Sequence, residues 1–174
     1  MNIFRTVLSV ALPILALSAC APAATGTTTG SAVVLTHRET LEAKPGSTTF
    51  VKVLYPAEAF ATEAEIDGLL AIDFQSRRAG EVQDINRPVS WARLGTEDLE
   101  PGWDVKLHTA SLLRDIQDTR DHSSSVTVRF YDYFTATYSV TVPATAKPGR
   151  ELLFLEVTDS RGKPVPVTLN VKVI

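Results

Sequence analysis

The closing segment of the chain sets the strongest limit on its fold. Val165, Val167, Leu169, Val171 and Val173 recur at intervals of exactly two, separated by Pro166, Thr168, Asn170 and Lys172. Successive side chains of an extended chain point to opposite faces, so this spacing makes one apolar face and one polar face. A helix would scatter the same residues around its axis. A strand that is apolar on one side needs a second layer to cover it, and the chain is therefore expected to stack sheets.

The same alternation recurs upstream. Val33 and Leu35 begin it, and Thr49-Phe-Val-Lys-Val-Leu-Tyr55 follows a Lys44-Pro-Gly-Ser47 turn and stops at Pro56. Ile66, Leu70, Ile72 and Phe74 share a third alternating face, with Asp67 and Asp73 on the other. Val89-Ser-Trp91 and Val105-Lys-Leu107 are weaker strand candidates. Val126, Val128 and Phe130, and then Tyr138, Val140 and Val142, read as two paired strands with a turn near Arg129–Phe134. Leu152 to Val157 is nearly all apolar and is followed by an Asp159-Ser-Arg-Gly162 turn. Between Thr109 and Asp121 the spacing of Leu112, Leu113 and Ile116 is closer to a helix face, so a short helix or an ordered loop is expected near 109–121. The expected class is all-β: two antiparallel sheets packed as a sandwich, with that one insertion.

Tyr138-Ser-Val-Thr-Val-Pro-Ala-Thr-Ala-Lys-Pro-Gly149, an apolar strand, a turn and a valine-rich strand resemble the end of bacterial immunoglobulin-like and fibronectin-type-III-like modules. The resemblance covers Tyr138 to Ile174. It implies that the Pro-Gly segment joins strands on opposite sheets, that the last two strands form a hairpin, and that the sandwich is immunoglobulin-like. It carries no implication about function. No cysteine pair accompanies it, since Cys20 is the only cysteine.

The start of the chain has a different character. Met1-Asn-Ile-Phe-Arg5 is a short positive segment, and Thr6 to Ala16 runs almost wholly apolar, which is the layout of a secretory signal. The run is shorter than the roughly 20 residues that span a bilayer, and Pro13 interrupts it. It ends in Leu17-Ser-Ala-Cys20, which resembles the lipobox of bacterial lipoproteins. That resemblance implies cleavage before Cys20 and a lipid, palmitate included, on its thiol. It also explains why a lone thiol is carried into an oxidising compartment. Ala21 after the cysteine points to the outer membrane in a diderm organism. Residues 1–19 are then a signal peptide and 20–31 a lipidated cysteine with a small-residue tether. Residues 32–174 are expected to form one domain.

Removing residues 1–19 leaves 155 residues with 16 Lys+Arg against 20 Asp+Glu, a net charge of −4. Such a balance does not suit nucleic acid, and no Lys/Arg cluster offers an electrostatic hold on anionic lipid. His37, His108 and His122 fall in no paired metal-ligand spacing. Asp115, Asp118 and Asp121, with His122 beside them, offer oxygen ligands suited to calcium, although the same spacing also describes a solvated helix face. No metal or cofactor is expected. Among the aromatics, Trp91 and Trp103 read as core or rim. Tyr131 and Tyr133 lie out of phase with Phe130 and Val128 and are the candidate partner-binding residues.

Two function classes follow. The first is a non-enzymatic, membrane-anchored envelope module that contacts another envelope protein or a surface polysaccharide. The alternative is a carbohydrate-active or other hydrolytic enzyme on the same scaffold, which would need a convergent carboxylate pair.

Overall fold

The computed structural model describes residues 32–75, 77–96 and 99–174, and the expected signal segment, Cys20 and tether lie outside the described residues. The strands are β1 (Val33–Thr36), β2 (Thr40–Ala43), β3 (Thr48–Pro56), β4 (Ile85–Pro88) and β5 (Leu94–Gly95), then β6 (Asp104–His122), β7 (Ser125–Thr141), β8 (Gly149–Thr158) and β9 (Pro164–Val173). Among the described residues one α-helix, α1 (Glu63–Leu69), follows β3. The strands form a five-stranded sheet in the order β1-β3-β7-β6-β4 and a four-stranded sheet in the order β2-β9-β8-β5. The protein is thus an all-β sandwich.

Each sheet has one parallel pairing, β1 with β3 and β2 with β9, so the sheets are mixed rather than wholly antiparallel. The opening strands explain this. A turn closed by the Glu39 N–H donating to Thr36 O (3.0 Å) reverses the chain after β1 and sends β2 into the opposite sheet. A second turn at Lys44–Ser47 returns β3 to the first sheet, now running the same way as β1. After β7, residues 142–148 carry the chain from the larger sheet to the smaller, where β8 and β9 form a hairpin.

Alternation along the strands builds the core. Val51, Val53 and Tyr55 from β3 and Phe134, Ala136, Tyr138 and Val140 from β7 face Leu153, Leu155, Val157, Leu169 and Val171 of the second sheet, all buried. Each of the valine, leucine and phenylalanine side chains contributes about 1.5–3 kcal/mol on burial. At one end of the core Phe60 stacks on Phe134 (centroids 4.1 Å apart), and Trp91 stacks on the same ring (5.5 Å). The hydroxyls of Tyr55 and Tyr138 lie 3.5 Å apart in the interior. Burial pushes Tyr55 up to about 12 and raises Tyr138 well above the ordinary tyrosine range.

Three further expectations are corrected. The 109–121 segment is neither a helix nor a loop: it lies within β6, a strand of 19 residues. Register shifts at Leu107/Thr109 and Ile116/Asp118 interrupt its alternation twice, and these bulges imitate helical spacing in the sequence. The residues read as two paired strands on either side of Arg129–Phe134 are one strand, β7, whose partner is β6. Finally, Ile66 and Leu70 belong to a helix rather than a strand. Four residues apart is one helical turn as well as two strand repeats, and both side chains are buried. The local sequence favours the helix, because Thr62 and Glu65 form a capping box: the Thr62 N–H donates to Glu65 Oε2 (2.8 Å) and the Glu65 N–H to Thr62 Oγ1 (3.4 Å). Glu65 Oε2 also accepts from the Ser160 hydroxyl (2.8 Å), which ties the helix start to the β8–β9 turn.

β6 and β7 outrun the rest of the sandwich. β3 ends where Pro56 pairs with Tyr133, and β4 begins where Ile85 pairs with Arg114. Past that line, among the described residues, β6 and β7 pair only with each other, from Asp115↔Tyr131 to His122↔Ser125. This arm is about 25 Å long at the usual rise per residue.

Candidate functional site

The arm has two faces, set by the phase of β7. Phe130, Val128 and Val126 continue the phase of the buried Phe134. Tyr131 and Tyr133 point the other way, onto the outer face of the larger sheet. Tyr131 is 55% exposed and stands opposite Asp115, whereas Tyr133 is half-buried between Leu113 and Pro56. Further along the same face Arg129 stands opposite Asp118. The outer face of the arm and its root is therefore a narrow strip of one open ring, one partly covered ring at the root and charges of both signs.

The inner face is braced by the chain between α1 and β4. The Ile116 N–H donates to Asp84 Oδ1 (2.8 Å), the Gly80 N–H to Thr119 Oγ1 (3.0 Å) and the Ala79 N–H to Asp121 Oδ1 (3.1 Å). Val82 of this strap is buried. Gly80 has a φ of +79°, a conformation that a side chain would disfavour.

Arg114 locks the root of the arm. It is 5% exposed, and its Nε and Nη2 donate to Asp132 Oδ1 and Oδ2, both at 2.7 Å, in a bidentate fork. Nη2 also reaches Asp67 Oδ1 (2.8 Å) and Nη1 reaches Leu70 O (3.0 Å), so one guanidinium joins β7 to α1. Its carbon lies 4.0 Å from the centroid of the Phe130 ring, a cation–π contact. These bonds, that to Asp132 first, raise the Arg114 pKa above its ordinary value.

The other sequence candidates fall in separate places. Asp115 approaches the Gln117 side chain, Asp118 pairs with Arg120 (2.9 Å), and Asp121 faces the strap on the opposite side of the arm. The three aspartates do not converge, and no group of three or more metal-ligating side chains gathers among the described residues. His37 stacks near Tyr55, His108 Nε2 lies 2.9 Å from Ser139 Oγ, and His122 sits at the arm tip. Trp91 packs into the aromatic cluster, and Trp103 is partly buried against the core. Sequence reasoning missed the Arg114–Asp132 pair. The available signal was Asp132 itself, an acid in phase with Phe130 and Phe134, because a carboxylate on an inward face requires a partner.

These features define an all-β sandwich with a projecting two-stranded arm. The chain matches no protein-family model, no curated protein and no solved structure.

Proposed function

We propose that the protein is a lipid-anchored envelope module that works by contact, presenting the outer face of the arm and its root, with Tyr131 and Tyr133, to another envelope protein or a surface polymer. The observation that carries this reading is the direction of the arm. β1 runs toward the arm end of β3, pairing from Val33↔Val51 to Thr36↔Leu54, so Val33 lies at the end of β1 away from the arm. An anchor at Cys20 then leaves the arm as the most distant part of the molecule from the membrane. Acyl chains supply the hold, because the net charge of the exported chain is negative.

The strand order supports an immunoglobulin-like reading of the body. Taking β3, β7 and β6 as strands B, E and D, and β9, β8 and β5 as G, F and C, reproduces the two-sheet arrangement of that fold. In this reading β2 is a first strand switched onto G, and β1 is an added edge.

Two experiments test the proposal. A palmitate analogue fed to cells should label the wild-type chain and leave a Cys20→Ser variant unlabelled; equal labelling rejects the anchor. Photocrosslinkers at Tyr131 and Tyr133 should capture an envelope protein or wall polymer in intact cells, with far lower yield from Thr168 on the outer face of the smaller sheet. Residues 109–121 are no control, because Asp115 stands opposite Tyr131. Equal yields at all three positions would reject the arm as the contact surface, and no capture together with turnover of a glycoside or ester would favour the hydrolase.

A further inference from the structure

Among the described residues, no strand closes the flank of the sandwich between β5 and β6. β5 has two residues and pairs with β8 only at Val157 and Glu156. On its other side, β6 meets β4 through Ser111–Arg114, and the Val89 N–H donating to Ala110 O (3.0 Å) is the last rung. From Asp104 to Thr109, β6 has no strand partner on that side among the described residues. That length of edge is about 20 Å, the length of an ordinary strand.

A groove of about 780 Å³ runs along this edge. Leu94, Val105 and Leu107 give it an apolar floor, and Arg93, Lys106 and His108 stand along it. Among the described residues, no carboxylate belongs to its lining. Asp104, just outside, pairs with Lys106 at 2.9 Å, but both side chains are exposed and the pair is weak. Arg93 is held in place by its Nη1, which donates to Ser90 O (2.5 Å) and Ala92 O (2.8 Å).

We infer that this flank is a second contact surface, which receives an extended segment of a partner protein as an added strand on β6, with acidic side chains set toward Arg93 and Lys106. Exposed strand edges recruit extended chain through main-chain hydrogen bonds, and side-chain pockets then choose among sequences. Here the floor selects apolar residues at alternate positions, and the cations select acids between them. A second copy of the same edge would bring its own Lys106 and His108 beside Arg93, so charge favours a different, acidic chain.

The test uses the full chain in detergent and two blocked nine-residue peptides, one alternating valine with glutamate and the other valine with lysine. Hydrogen exchange is followed by mass spectrometry. The Val/Glu peptide should slow exchange across 104–109 at least tenfold, and the Val/Lys peptide should leave it unchanged. An Arg93→Glu, Lys106→Glu variant should reverse the preference, and the milder Arg93→Gln, Lys106→Gln variant should abolish it. Tyr131→Ser with Tyr133→Ser should leave the protection intact, which separates this surface from the arm. Absence of protection overturns the inference, as does equal protection by both peptides or a doubling of mass that accounts for slow exchange at 104–109 without peptide.

Discussion

β6 and β7 form one hairpin in two environments, and the contrast separates what shapes this protein from what stabilises it. In the body, Phe134, Ala136, Tyr138 and Val140 of β7 are wholly buried beneath the second sheet. In the arm, Val126 and Val128 of the same strand are half-buried, and Phe130 is 37% exposed. The ladder between the two strands runs through both parts. Backbone pairing thus gives the arm its form, but each such bond adds little net stability, whereas burial of the apolar face contributes the larger share. The arm relies instead on three hydrogen bonds from the strap and on Arg114. It should open locally before the body unfolds.

The largest expected effect breaks the body. Phe134→Ala removes a ring stacked between Phe60 and Trp91 and should cost about 3–5 kcal/mol. Denaturant unfolding should shift as a single transition, and a variant that loses only the arm would show that the core does not depend on this ring. Next comes the junction between the two regions. Arg114→Met leaves Asp132 without its fork and should cost about 3 kcal/mol. Hydrogen exchange should accelerate across α1 and 115–131 more than across 134–140. Adding Asp132→Leu should restore much of the loss, and no recovery would mean that the contacts with Asp67 and Leu70 dominate.

Alkaline pH should weaken the body while sparing the arm. The folded state keeps Tyr55 neutral up to about 12, while an unfolded tyrosine ionises near its ordinary value of 10.0. The associated stability is complete below pH 10 and is lost as pH rises toward 12, an effect of roughly 2–3 kcal/mol. Tyr55→Phe should flatten the dependence of the unfolding midpoint on pH in that window. An unchanged slope would assign it to Tyr138 or to other groups. The smallest effect on the fold belongs to Tyr131→Ser, which should alter stability by no more than about 0.5 kcal/mol. Partner affinity should nevertheless fall by about 1–3 kcal/mol if the ring is a hot spot. Global unfolding of this variant would place the ring in the structural core.

The regions that were legible in the sequence are those where one face alone decides the outcome. β9 alternates without interruption because it buries the same side along its whole length. β3 and β8 bury alternate residues in the same way, although β8 leaves the apolar Leu152 and Phe154 exposed on its other side. The phase of Tyr131 against Phe130 was readable for the same reason, and so was the packing of Trp91 at the rim of the core. Local chemistry also suffices for α1, since the Thr62–Glu65 box lies within four residues, although the shared spacing of Ile66 and Leu70 hid it.

Other features depend on partners distant in the chain. The two bulges of β6 exist only against β7 and conceal a strand as a helical pattern. The joining of two short runs into one 17-residue β7 depends on β3 and β6 lying on either side of it. Arg114 is buried because Asp132, Asp67 and Leu70 O converge on it from three places, and no local window contains all of them. The sequence by itself determined that the chain stacks sheets and which residues face inward, because alternation is a property of consecutive residues. Only the tertiary structure decided where the sandwich stops and the arm begins, because that boundary lies where the neighbouring strands end.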